Sequence, residues 1–170
     1  MTAVILGFDP SPNRLGWSAI DTATGDHVAG GCESLVRSGG GWHDEQIAGA
    51  ISNVWWHLRH AQVTRVAYVC REEPITRIVS MSKRYGETSA LVDEAAREMW
   101  PEANHMAPFI PTEWRAINDL PAGKDGKAAA ARDAAAAAGH AVTQDEADAY
   151  MVACALWWGW DVQPAEAVTA

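Results

Sequence analysis

Three cysteines in 170 residues, Cys32, Cys70 and Cys154, are odd in number, far apart and without any Cys-x-x-Cys spacing, which excludes a disulfide framework and a zinc ribbon. Buried reduced thiols are the expected state. No apolar run approaches the ~20 residues a bilayer-spanning helix needs. The start, MTAVILGFDP, lacks a basic n-region and a cleavage site and already has the pattern of a strand, so a cytoplasmic location with no membrane contact is expected. Positive charge is scarce as well, with 13 Lys+Arg against 22 Asp+Glu and a net charge of -9. A polyanionic partner is disfavoured unless the cations gather on one face.

A hydrophobic fraction of 48% and a charged fraction of 21% suit a single globular domain, expected over 1–162 with 163–170 as a disordered tail. Nine tryptophans are many for this length, and Trp55, Trp56, Trp157 and Trp158 fall within helical patterns, so core or subunit contact is expected of them rather than base stacking. Val4 to Phe8 is a short apolar run closed by Asp9-Pro-Ser-Pro-Asn13, the pattern of a buried strand and a turn. Leu15 to Ile20 and His27 to Leu35 flank a Gly25-containing hairpin, completing a three-strand antiparallel meander. After Gly39 to Gly41 the period changes to 3.6, with Ile47, Ile51, Val54, Trp55 and Leu58 marking a helix from about Trp42.

Val66 to Cys70 reads as a fourth strand. Met81 to Met99 reads as a helix with Leu91, Val92, Ala95 and Ala96 inward. His105 to Ile110 is a fifth strand between prolines, and Thr112 to Ile117 a short helix. Lys127 to Ala138 is an alanine-rich helix stopped by Gly139, with Asp119 to Gly126 before it expected as a mobile loop. Thr143-Gln-Asp-Glu146 has the capping-box spacing that opens a last helix near residue 144. The predicted class is α/β, a five-stranded mixed sheet of meander plus parallel strands flanked by helices.

Within that frame four acids acquire definite places. Asp145 and Asp148, three apart at a helix start, share one face, and Val152 and Ala155 continue that face into apolar packing. Buried like charges cost several kcal/mol, whereas a helix N-terminus offsets only ~0.3 to 1 kcal/mol for each. A divalent cation is the economical neutraliser. Asp9 and Glu72 each end an apolar strand, and they become neighbours if those strands are parallel. An all-oxygen set suits magnesium or manganese. Two such ions ~3.5 to 4 Å apart activate water and stabilise a leaving oxygen in phosphodiester cleavage. Taken singly, each acid reads more readily as a turn residue, a solvated strand end or a partner of the helix dipole; the joint placement turns that preference toward the metal.

The order β-β-β-α-β-α-β-α with ILGFDPSPNRLGWSAID, VAYVCREEP and QDEADAYMVACAL resembles the RuvC-like Holliday junction resolvases, of bacterial or phage type, in the RNase H-like superfamily. The likeness covers residues 4 to about 158. It implies an RNase H-like fold and two Mg2+ ions, replaceable by Mn2+, on Asp9, Glu72, Asp145 and Asp148 as catalytic and metal-binding residues. It also implies paired symmetric nicks in branched DNA leaving 5'-phosphate and 3'-hydroxyl ends, and a homodimer built on SKRYGETSALVDEAAREM. Two departures stand out. Arg71 occupies the usual aliphatic position before the glutamate, which leaves Glu73 as a rival to Glu72. Ile75 stands where bacterial relatives carry an aromatic wedge.

The cations are placed consistently with this: Arg71, Arg77, Lys83 and Arg84 follow the fourth strand, and Arg115, Lys124, Lys127 and Arg132 follow the fifth. Lys124, Lys127, Arg132, Arg77, Lys83 and Arg84 are the expected DNA contacts, which would make binding strongly salt-dependent. Three rival readings remain open. A related nuclease could act on flaps or forks. An actin- or sugar-kinase-like ATP-binding protein opens on a similar strand-Asp-hairpin, but it needs further glycine-rich loops and a second domain. A catalytically inactive junction binder would have no use for four mutually repelling acids.

Overall fold

The computed structural model describes residues 2–35, 43–73 and 79–159, with side chains in the last stretch from residue 83 onward. Arg77, Ile75, the glycine run 39 to 41 and the tail 163–170 lie outside the described residues. Five strands form one sheet: β1 (Thr2–Ser11), β2 (Arg14–Asp21), β3 (His27–Ser34), β4 (Val63–Arg71) and β5 (Asn104–His105), in the order β3-β2-β1-β4-β5. The β1/β2 and β2/β3 pairs are antiparallel, and β1/β4 and β4/β5 are parallel. The predicted α/β class, with a meander joined to parallel strands, is what forms.

Helices α1 (His43–His60) and α2 (Val79–Met99) cover one face. The other carries α3 (Pro111–Ile117), α4 (Gly123–Ala138) and α5 (Gln144–Gly159). Alternation along β1 sends Val4, Leu6 and Phe8 to the α1/α2 core and Ile5 to the α5 core. The same period carries Asp9 to the α5 side. On β4, Val69 faces α1 and α2 while Cys70 faces α5.

Helix α5 is nearly all buried and built from small residues because it lies hard against the sheet. A Cβ on Gly7 would run into the Ala149 carbonyl oxygen, and one on Gly16 into that of Asp145. These two glycines therefore set the depth at which the acidic first turn of α5 sits. Thr143 opens the helix as its spacing predicts, with its Oγ1 accepting the Glu146 amide at 3.1 Å.

Two expectations need correction. The alanine-rich helix begins at Gly123 rather than Lys127, so much of the expected loop is its first turn. Its two glycines have poor helix propensity, but Gly126 packs on the Pro121 carbonyl, where a Cβ would collide, and tertiary fit overrides propensity. The fifth strand is only Asn104–His105, followed by a single bridge between Glu72 and Phe109. Pro108 has no amide to donate, so the ladder lapses between the Met106 amide on Val69 and the Phe109 amide on Arg71.

The tryptophans divide. Trp17 and Trp114 are core, whereas Trp55, Trp56 and Trp158 are exposed, which departs from a core role for those three. Trp55 lies under the Arg59 guanidinium and Trp56 against the His60 ring. Cys70 and Cys154 are buried free thiols and Cys32 is half-buried. Among the described residues no helix is long and apolar enough to cross a membrane.

Candidate metal centre

Asp9 and Glu72 end adjacent parallel strands on the face that α5 covers, and Gly7 opposite Cys70 sets the register that brings them level. The Glu72 amide donates to the Phe8 carbonyl at 2.8 Å, fixing the strand end that carries its side chain. Asp148 is buried in the first turns of α5, and Asp145 lies one turn earlier with about a quarter of its side chain exposed.

The four acids act on one another. Burial raises the Asp9 carboxyl well above the ordinary carboxylate range, and Glu72, Asp148 and Asp145 push it further, against an opposing Lys127. Glu72 is pushed up to about 7, first by burial and then by Asp148, with the Trp114 hydrogen bond, Arg115 and Lys127 acting the other way. Asp148 is raised chiefly by burial and also by Asp145, while its bond from Gln144 and the charges of Lys127 and Arg115 lower it. The three placements derived from separate elements thus meet in one electrostatic unit.

Glu73 does not share it. Strand alternation sends Glu73 to the α2 side, where its Oε2 takes a 2.9 Å ion pair from Arg71. Arg71 also donates to Ser89 Oγ at 2.7 Å and stands 3.6 Å from Asp93. Arg71 therefore anchors β4 to α2, which explains a cation at a usually aliphatic position.

Each of three acids has a partner that sequence patterns did not single out. Trp114 Nε1 donates to Glu72 Oε2 at 2.8 Å, and Gln144 Nε2 donates to Asp148 Oδ1 at 2.7 Å. Asp145 Oδ2 accepts from the Cys32 thiol at 3.8 Å and lies 4.0 Å from Arg14. The Gln144/Asp148 pair has the i, i+4 spacing that could have disclosed it. Trp114, Cys32 and Arg14 join their acids across 42, 113 and 131 positions of chain, and no local pattern encodes such meetings.

Of the expected cations, Lys127 stands close enough to act on Asp9, Glu72 and Asp148. It does so from the first turns of α4 rather than from a loop. Arg115, stacked 4.7 Å over the Trp114 ring, acts on Glu72 and Asp148. Lys124 and Arg132 are exposed on α4, Arg84 is exposed on α2, and Lys83 faces Glu87 at 3.8 Å along α2.

The donor set fits a hard divalent cation: carboxylate oxygens, more negative charge than Lys127 and Arg115 offset, and placement at the ends of adjacent parallel strands. Among the described residues no group of three or more His, Cys, Asp or Glu side chains is placed as it stands to hold a metal ion.

The fold has a counterpart among solved structures. In fold, the chain is similar to RuvC. Thermus thermophilus RuvC in complex with a Holliday junction substrate superposes with a TM-score of 0.66 at 18% identity, covering 92% of this chain and 94% of that one. A second Thermus thermophilus RuvC structure gives 0.60 at 19% identity, over 92% and 95%. The RuvC-like architecture spans nearly the whole chain at this distance in sequence. No protein-family model and no curated protein matches the sequence.

Proposed function

We propose that the chain is a metal-dependent endonuclease that resolves four-way DNA junctions by paired symmetric nicks, leaving 5'-phosphate and 3'-hydroxyl ends. The observation that carries this reading is the nearness of Asp9, Glu72, Asp145 and Asp148, from two strand ends and one helix: Glu72, Asp148 and Asp145 all act on Asp9, Asp148 acts on Glu72, and Asp145 acts on Asp148. Burying such a set is costly without a cation. The likeness of fold to junction-bound RuvC supports branched DNA as the substrate.

Asp9, Glu72, Asp145 and Asp148 would hold two Mg2+ ions, with Mn2+ able to substitute. When bound, the ions supply an activated water and charge stabilisation at the leaving oxygen. The chain's own residues do the rest. Trp114 and Gln144 orient Glu72 and Asp148, and the buried residues of α5 from Glu146 to Ala149 and Met151 to Leu156 hold that helix against the sheet. Lys127 and Arg115 beside the acids would receive the phosphates flanking the cut, with Lys124, Arg132, Lys83, Arg84 and Arg77 extending the contact. Concentrating cations here offsets the net charge of -9 where DNA must approach.

Two symmetric cuts require two active sites on opposed strands, which a two-fold homodimer supplies. Leu91, Val92, Ala95 and Ala96 of α2 are at least half-buried within the protomer, so the dimer contact would use the outward residues of that helix. Incubation of end-labelled four-way junction, flap, plain duplex and RNA–DNA hybrid with Mg2+ or EDTA tests the substrate. Paired nicks at symmetric positions, confined to the junction and abolished by EDTA, are expected. Cleavage of flaps or forks in preference to junctions would transfer the activity to another branched substrate, and ATP binding without cleavage would refute the nuclease reading.

A further inference from the structure

We propose that Trp114 is a positioning residue of the carboxylate site, holding Glu72 in the one orientation that leaves its second oxygen free for a cation. This rests on the reading of Glu72 as a metal ligand. The indole N–H can only donate, so its 2.8 Å bond to Oε2 fixes which oxygen is engaged. Trp114 is fully buried and Glu72 is 8% exposed. A hydrogen bond buried this deeply is electrostatically stronger than the same bond in water, and stronger again once Glu72 is ionised.

The rest of Glu72 is already immobile. Its amide is bonded to Phe8 and the next amide to Phe109, so only the side-chain torsions remain to be set, and Trp114 sets them. Trp114 is itself held from the opposite side of the site. Asn118 Nδ2 lies 2.8 Å from the Trp114 carbonyl and 2.8 Å from the Met151 carbonyl of α5, tying α3 to the helix that carries Asp148. Helix α3 is thereby a strut between the acid on β4 and the acids on α5. The single polar atom of the Trp114 side chain is engaged by the Glu72 carboxylate, so the packing of α3 and the orientation of Glu72 are set together.

Calorimetric titration of Mn2+ into the parent, Trp114→Phe, Glu72→Gln and the double variant, at fixed pH and without DNA, separates the possibilities. Outer partners of metal ligands are worth about 10–100-fold in affinity, so Trp114→Phe should weaken Mn2+ binding by that much. The loss should vanish in the Glu72→Gln background, because Trp114 acts through that carboxylate. Unchanged affinity in Trp114→Phe beside a loss in Glu72→Gln overturns the positioning role and leaves the metal site standing. An equal loss in both backgrounds also overturns it, since the effect would then come from packing. Parent-like binding by Glu72→Gln overturns both readings. If Trp114→Phe does not fold, Asn118→Ala, which frees the Trp114 end of the strut from outside the core, should give a smaller loss in the same direction; no loss there refutes the strut.

Discussion

At the residue scale the site is a set of opposed ionisations. Glu72, Asp9 and Asp148 all hold their protons to higher pH in the fold than in the unfolded chain. Between the ordinary carboxylate range and the raised value the native state binds more protons, so raising the pH lowers stability across that window. For Glu72 the window runs from 4.5 to about 7, and the cost at its upper end is on the order of 3 kcal/mol. Denaturation midpoints in EDTA should therefore fall between pH 5 and pH 8, and Glu72→Gln should flatten much of that slope; a midpoint that rises with pH would mean the carboxylates are not coupled. Mg2+ or Mn2+ should raise the melting temperature more at pH 8 than at pH 5, because protonated carboxyls make poor ligands.

The placement of the four acids was legible from sequence because each sits beside a pattern that locates it: Asp9 and Glu72 after apolar runs, Asp145 and Asp148 behind a capping box. The choice between Glu72 and Glu73 was not legible. It depends on which face of β4 meets α2, and the Arg71 contacts to Ser89 and Asp93 that reveal it are made across the fold.

At the element scale the site depends on how close α5 comes to the sheet. Gly16→Ala forces a methyl into the Asp145 backbone and should destabilise by at least the ~1 to 3 kcal/mol of ordinary overpacking, while displacing the acidic turn. Gly126→Ala should be costly for the same reason at the start of α4. Gly86→Ala, in open space on α2, should instead stabilise by about 0.4 to 1 kcal/mol. Urea unfolding of the three variants checks the order; a benign Gly16→Ala would mean that α5 is not held where the structure puts it. Most elements were predictable from their periods. The start of α4 and the extent of β5 were not, since one depends on a glycine fitting Pro121 and the other on where Pro108 breaks a ladder.

At the scale of the whole molecule, an acidic protein must bind a polyanion through a local excess of cations. Junction affinity should fall steeply with salt. Lys127→Ala should weaken binding and reduce the logarithmic salt slope by about one contact's worth, near 0.9, measured by fluorescence anisotropy over a salt series. An unchanged slope would remove Lys127 from the interface. A homodimer should be visible by sedimentation in the absence of DNA, and a monomer that stays monomeric on junctions would contradict paired symmetric cutting by one enzyme.

The proposed function requires that four carboxylates, and not the fold alone, carry out metal-dependent cleavage. Single-turnover cleavage of a four-way junction should be measured with Mg2+ for the parent and for Asp9→Asn, Glu72→Gln, Asp145→Asn and Asp148→Asn, each shown to be folded and to bind the junction. Loss of the cleavage rate by about 100-fold or more in every variant, with junction binding retained, is the expected result. Cleavage at the parental rate by Asp148→Asn or Glu72→Gln would contradict it.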